Sequence, residues 1–85
     1  MLLFEVFLTP GADKSQLLTE DALEATGAQV FTPAEAEFVG LTGVPEDPEG
    51  RPRALIACSP SDERFIHSRL EASHVVAAFR MHEVG

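Results

Sequence analysis

Apolar residues follow two different periods along this chain, and those periods predict its secondary structure. A short apolar run bounded by Pro, Gly or Ser is typical of a strand, whereas apolar residues three or four positions apart are typical of an amphipathic helix. The first pattern predicts strands over residues 2–8, 28–42, 53–58 and 74–84. The second pattern predicts helices over residues 13–27 and 60–73.

The second helix carries the strongest start signal. Ser59-Pro60-Ser61-Asp62 supplies a cap, a Pro at the first helical position and an acid in the first turn. We expect this helix to place Phe65, Ile66 and Leu70 on one side. In the first helix Asp13, Ser15 or Thr19 can act as the cap, and Gly27 provides a stop.

Residues 28–42 are ambiguous. Thr32-Pro33-Ala34-Glu35 fits a capping box, which indicates a helical turn. The following EFVGLTG is typical of extended chain, so we favour an interrupted second strand, broken near Thr32-Pro33. Residues 43–52 hold three prolines and two glycines and predict a long loop.

The predicted order is strand, helix, strand, strand, helix, strand, which is the βαββαβ pattern of ferredoxin-like domains. We therefore predict an α+β fold with one four-stranded antiparallel sheet, in the order 4-1-3-2, and both helices on one face. The 85 residues are enough for a single small domain, residues 1–85, with a marginal core.

The helix-free face of this sheet is predicted to be largely apolar. A solvated sheet face normally alternates apolar and polar residues, and a contiguous apolar patch is unusual on a monomer. We therefore predict a homodimer, and a monomer with scattered surface hydrophobics is the alternative. The predicted interface residues are Leu3, Phe7, Val76 and Ala78.

The net charge of the chain limits the classes of partner that it can bind. The formal net charge is −8, from 14 acidic and 6 basic residues. Nucleic-acid binding needs a cationic face, and anionic membranes disfavour an acidic protein, so we expect neither partner. A protein partner or a small-molecule effector fits better.

The single Cys58 excludes an internal disulfide, and the apolar start is too short to span a bilayer, which together favour a cytoplasmic protein.

Three ionisable side chains are predicted to meet on the helix-free face: Glu5 of the first strand and Arg80 and His82 of the last. A carboxylate, a guanidinium and an imidazole can perform acid–base chemistry, with burial raising the pKa of Glu5 and the Arg opposing it. These three are the catalytic candidates if the protein is an enzyme. A structural ion pair that fixes register at a dimer interface is the commoner arrangement.

Structural roles are also predicted for the other residues whose types could react or bind a metal. Cys58 precedes a helix start within CSPS, which can lower a thiol pKa, yet no basic residue flanks it closely, so we expect a packing cysteine. His67, His74 and His82 lack the spacing of common metal sites. The acidic run Glu46-Asp47-Pro48-Glu49 lacks EF-hand spacing. We therefore predict no metal and no cofactor.

The corner Pro10-Gly11-Ala12-Asp13 follows the first strand, and Gly27 ends the helix before Ala28-Gln29-Val30. With the closing LEASHVVAAFRMHEV, this arrangement resembles ACT regulatory domains. The resemblance implies side-by-side or face-to-face association, and a small effector, often an amino acid, bound near Gly11 to Asp13 at the interface. Glycine lets a ligand approach backbone N–H groups, but from Pro-Gly chemistry alone we favour a simple turn over a binding corner.

Three functional hypotheses follow. The leading one is a non-catalytic, self-associating regulatory module that binds a protein partner or small effector. The second is a small enzyme of the dimeric α+β barrel type, with Glu5 and His82 as acid–base groups. The third is a scaffold protein with no ligand.

Overall fold

The described part of the chain forms one sheet with helices on both of its faces. A computed structural model describes residues 1–40 and 49–83. The elements in those ranges are β1 (Leu2–Leu8), a 3₁₀ turn (Lys14–Gln16), α1 (Glu20–Thr26), β2 (Gln29–Phe31), α2 (Pro33–Phe38), β3 (Arg53–Cys58), a 3₁₀ turn (Pro60–Asp62), α3 (Glu63–Ala72) and β4 (Val76–Glu83).

The four strands are antiparallel and lie in the order β2-β3-β1-β4. This confirms the predicted α+β class and the predicted strand order. β1 and β3 have the predicted bounds, whereas β2 and β4 are shorter than predicted. Of the predicted loop, residues 43–48 lie outside the described residues, and residues 49–52 contain no helix or strand.

The main core lies between the sheet and the pair α1 and α3. Alternate residues of β1 face it, because successive side chains of a strand point to opposite faces. Ile66 and Leu70 of α3 and Ala22 of α1 are buried against these strand residues. The β1 residues on this face are Leu2, Phe4, Val6 and Leu8.

Local signals explain where α1 begins and ends. Thr19 caps α1, since its Oγ1 accepts the Ala22 N–H at 3.2 Å, and Gly27 ends it with a φ of 67°.

The expectation for Phe65 was wrong: its side chain is 37% exposed and lies under the Arg69 guanidinium, 5.1 Å from the ring centroid. One residue of helix turns the side chain about 100°, so Phe65 leaves the face that Ile66 occupies.

The second strand is shorter than predicted because a helix replaces most of it. β2 ends at Phe31, and the capping box starts α2: Glu35 N–H donates to Thr32 Oγ1 at 3.1 Å, and Thr32 N–H donates to Glu35 Oε1 at 2.8 Å. Pro33 at the first helical position adds to this start. The strand before the predicted break near Thr32-Pro33 is therefore confirmed over Gln29–Phe31. The extended chain predicted after that break was wrong over residues 33–40, and residues 41–42 lie outside the described residues.

α2 packs on the face of the sheet opposite α1 and α3. Its Ala36 is 1% exposed and contacts a second core made with Leu3, Leu55 and Ala57. A small alanine side chain lets the helix backbone approach the sheet closely. Part of the face expected to lack helices is thus covered by the chain itself.

The four predicted interface residues occupy three different environments. Leu3 and Phe7 are 0% and 6% exposed within the single chain. Val76 packs against the α1/α3 core, which corrects its predicted place on the other face. The pairing of β1 with β4 shifts between Phe7 and Leu8, and this irregularity brings Val76 opposite Leu8. Ala78 is exposed and lies opposite Phe7.

Candidate functional site

Glu5 lies at the centre of β1 on the α2 side of the sheet and is completely buried. The sheet register brings Arg80 directly opposite Glu5. His82 on β4 and Arg53 on β3 lie two register positions away, on the same face of the sheet. Diagonal neighbours on one sheet face are close enough for long side chains to meet. The structure thus brings together the three side chains that the sequence placed near one another, and adds Arg53.

Both carboxylate oxygens of Glu5 hold hydrogen bonds. Arg53 Nη1 donates to Oε2 at 2.7 Å. Arg80 approaches Oε1 with Nη2 at 3.0 Å and Nε at 3.2 Å, and His82 Nε2 lies 3.3 Å from the same oxygen. The Arg53 side chain is 11% exposed, that of His82 is 30% exposed and that of Arg80 is 60% exposed. We call Glu5, Arg53, Arg80 and His82 the Glu5 cluster.

The cluster keeps Glu5 ionised. Burial raises the pKa of this carboxyl, but the hydrogen bonds from Arg53 and His82 and the charge of Arg80 outweigh burial, so the pKa of Glu5 falls below its ordinary value. The net direction is opposite to the one that a general acid at neutral pH needs. Because Glu5 is completely buried, a substrate could contact its carboxylate only by displacing one of the side chains that bind it. The geometry therefore favours a structural ion cluster over acid–base catalysis.

Phe7 extends this surface along β1. The Arg51 guanidinium lies 4.1 Å from the Phe7 ring centroid, and the Arg80 guanidinium lies 5.4 Å from it. Arginine stems and planes can cover apolar area while the charge stays near water. Two arginines thus shield Phe7 on the face where the sequence predicted an apolar interface.

The Pro-Gly corner forms a turn closed by the chain's own groups. Gly11 has a φ of 81°, and the Ala12 N–H donates to the Thr9 carbonyl at 3.0 Å. The Asp13 N–H donates to Gln16 Oε1 at 2.8 Å. A ligand carboxylate would have to replace these bonds to bind the Ala12 or Asp13 amides. Effector binding at Pro10 to Asp13 stays a prediction.

A cleft of about 910 Å³ opens beside β2, at one end of the sheet. It was missed in the sequence because its walls come from segments far apart in the chain. Leu18 and Leu23 line it from the α1 side, Val30 and Phe31 from β2, and Val39 from the end of α2. Its floor is mostly apolar, with Lys14, Glu20 and Gln29 among the polar lining residues.

Cys58 is a packing residue at the end of β3. It is 5% exposed and belongs to the main core. Burial raises the pKa of its thiol, and the nearby Asp62 and Glu63 raise it further. A reactive thiol needs a lowered pKa and access to solvent. The expected packing role is therefore confirmed by its burial.

The histidines have separate neighbours. His67 Nδ1 lies 3.2 Å from Glu71 Oε1, and the His67 ring meets Phe79 edge-on at 5.1 Å between centroids. His82 belongs to the Glu5 cluster. Within residues 1–40 and 49–83, no group of three or more His, Cys, Asp or Glu side chains is placed to hold a metal ion.

Comparisons with protein-family models, curated proteins and solved structures found no match for this chain. The resemblance to ACT regulatory domains therefore stays a prediction. In the part of the chain that the structure describes, no helix has the length and apolar character needed to cross a bilayer.

Proposed function

We propose that this chain is a non-catalytic binding module that associates with a second copy of itself through the outer edge of β4. β4 spans eight residues at one end of the sheet order, with β1 on its inner side. At about 3.4 Å per residue, its open edge is roughly 27 Å long. That edge is the observation that carries the proposal.

A long apolar strand edge is a template for pairing with another strand. Soluble proteins usually protect such edges with charges, prolines, bulges or very short strands. Ala77, Ala78 and Met81 of β4 are exposed, and Met81 is 44% exposed. The irregular pairing at Phe7/Leu8 affects only the start of β4, and residues 77–83 continue without a proline.

The charges of β4 are compatible with self-pairing. The strand carries Arg80 and Glu83, which balance each other, in a chain whose net charge is −8. An antiparallel pair of β4 strands with Phe79 opposite its own copy sets Arg80 against Ala78 of the second copy, so like charges do not face each other. Side-by-side pairing of this kind is also one arrangement that the ACT-like resemblance implies.

The Glu5 cluster supports the non-catalytic part of the proposal. Its carboxylate is fully buried and both oxygens accept hydrogen bonds from arginines, so the group stabilises the sheet rather than serving a substrate. Arg80 joins the cluster to β4, and the cluster therefore also orders the strand that pairs.

Sedimentation equilibrium tests this proposal. We expect the protein to be dimeric at micromolar concentration, and Ala78→Lys and Met81→Lys to shift it toward monomer, because lysine on an edge strand blocks pairing. Phe65→Lys is the matched control, since Phe65 is a comparably exposed apolar residue on α3. A monomer at all concentrations, or a dimer that the β4 lysines leave intact, contradicts the proposal.

A further inference from the structure

We propose that the cleft beside β2 binds an extended peptide segment of a partner protein, added to the sheet as a strand with apolar residues at its centre and basic residues at its ends. The inference rests on the proposed role as a binding module but not on its self-association. The two claims use opposite ends of the sheet, so they are tested separately.

β2 has the position that strand addition requires. It stands at the end of the sheet order opposite β4, with β3 on its inner side. The outer side of an edge strand presents backbone N–H and C=O groups, and an extended peptide can pair with them. The cleft opens along this outer side, where Gln29, Val30 and Phe31 all contribute to its lining.

The walls of the cleft match the two faces of an added strand. Leu18 and Leu23 lie on the side of the sheet that α1 covers, and Val39 lies at the end of α2 on the other side. Side chains of an added strand would point alternately to these two walls. Because both walls are apolar, the central residues of the peptide should be apolar on both faces.

The helices beside the cleft determine the charge of the partner. α1 carries Glu20, Asp21 and Glu24, and α2 carries Glu35 and Glu37. Of the cleft-lining residues in the described ranges, only Lys14 has a basic side chain, and it forms an ion pair with Glu35. The hydrogen bond from Lys14 lowers the pKa of Glu35 to about 2. A segment with lysine or arginine at its ends complements these helices.

The same charges argue against a second copy at this edge. Two copies paired through β2 would bring the acids of α1 and α2 close to those of their counterparts, in chains that each carry −8. Like charges across an interface suppress the wrong partner.

The test measures binding of the labelled peptide KRTVIVTRK by fluorescence anisotropy. We expect saturable binding that weakens as salt is added, because the end charges contribute. EDTVIVTDE should bind at least about tenfold more weakly, because its ends are repelled. KRTVPVTRK should lose binding, since proline removes a backbone N–H and interrupts strand pairing.

Site variants and backbone amide NMR locate the peptide. Val39 is 57% exposed, so Val39→Lys should fold normally and weaken peptide binding roughly tenfold, whereas Phe65→Lys should leave it unchanged. Amide shifts should concentrate at residues 28–31. No binding up to about 1 mM peptide, equal binding of both charge types, or shifts centred on β4 would each overturn the inference. None of those results bears on dimerisation through β4 in the absence of peptide.

Discussion

Replacing Glu5 with glutamine is the perturbation that separates a structural cluster from a catalytic one. Glu5→Gln keeps the size of the side chain and one acceptor oxygen but removes the negative charge. Arg53 then remains 11% exposed with its charge no longer balanced by Glu5. Removing one partner of a buried ion pair is costly because the other charge stays desolvated.

The magnitude follows from the exposure of each partner. In the Glu5–Arg53 pair the Glu5 side chain is fully buried and the Arg53 side chain is 11% exposed. Losing one partner of a fully buried pair costs about 3–5 kcal/mol, so this pair belongs near the lower end of that range. Arg80 is 60% exposed, so its pairing with Glu5 adds less than about 1 kcal/mol. Since glutamine retains one acceptor, we expect Glu5→Gln to lower the free energy of unfolding by about 3 kcal/mol. Tm should then fall by roughly 12–24 °C.

Urea unfolding followed by far-UV circular dichroism measures this loss. The chain has no Trp or Tyr, so intrinsic fluorescence is a poor probe. Protein concentration must be held constant, because the proposed self-association would stabilise the folded state. Arg80→Gln is the matched variant and should cost less than about 1 kcal/mol, because its side chain is largely solvated.

Two results would refute this account of the cluster. One is a Glu5→Gln protein whose free energy of unfolding lies within about 1 kcal/mol of the parent value, which would show that the Glu5–Arg53 pair contributes little. The other is an Arg80→Gln loss as large as that of Glu5→Gln, which would show that exposure does not rank these contacts. If the protein proves to be an enzyme, a fully folded Glu5→Gln protein without turnover would restore the catalytic hypothesis.

The Glu5 cluster also predicts that the free energy of unfolding falls at acid pH. The folded-state pKa of Glu5 lies below its ordinary value of 4.5, so the contribution of this group is present above that pH. It is lost as the pH falls below 4.5 through the folded-state pKa, where the native carboxylate takes up its proton. The Glu5→Gln protein should lack this part of the acid dependence.

Three further predictions concern the helices and the thiol. Thr32→Ala removes the cap of α2 and should lower the free energy of unfolding, measured in urea, by about 1 kcal/mol. Thr32→Ser keeps a capping hydroxyl and should restore the lost stability. Ala36→Leu should lower the free energy of unfolding by about 1–3 kcal/mol, because a larger side chain forces α2 away from Leu3 and Leu55. An unchanged urea midpoint would contradict that packing. The Cys58 thiol should react with a disulfide reagent slowly in the native protein and rapidly in urea, and fast native labelling would contradict its burial.

The strands and most of the helix signals could be predicted from the sequence. β1 and β3 are short apolar runs bounded by proline or serine, so their ends are sharply marked. α2 was not preferred, because its six residues are followed by Val39 and other residues typical of strands. The capping box at Thr32 and Glu35 was the correct signal, and it outweighed the composition that followed it.

The apolar character of both sheet faces correctly indicated that the second face needs a cover. Sequence alone does not distinguish a cover supplied by a second copy from one supplied by the chain itself. Here Ala36 of α2 covers Leu3 and Leu55, and the arginines cover Phe7. The predicted meeting of Glu5 with β4 residues needed only strand order and alternation, whereas the contact from Arg53 needed the register of β3.

Concentration-dependent amide hydrogen exchange in β4 tests the central claim most directly. Alternate amides of an edge strand point away from its one neighbour and exchange quickly in a monomer. If two copies pair through β4, these amides between Val76 and Glu83 should become protected as protein concentration rises, while the outer amides of β2 stay unprotected without peptide. Fast exchange of the alternate β4 amides at every concentration would contradict association through this edge.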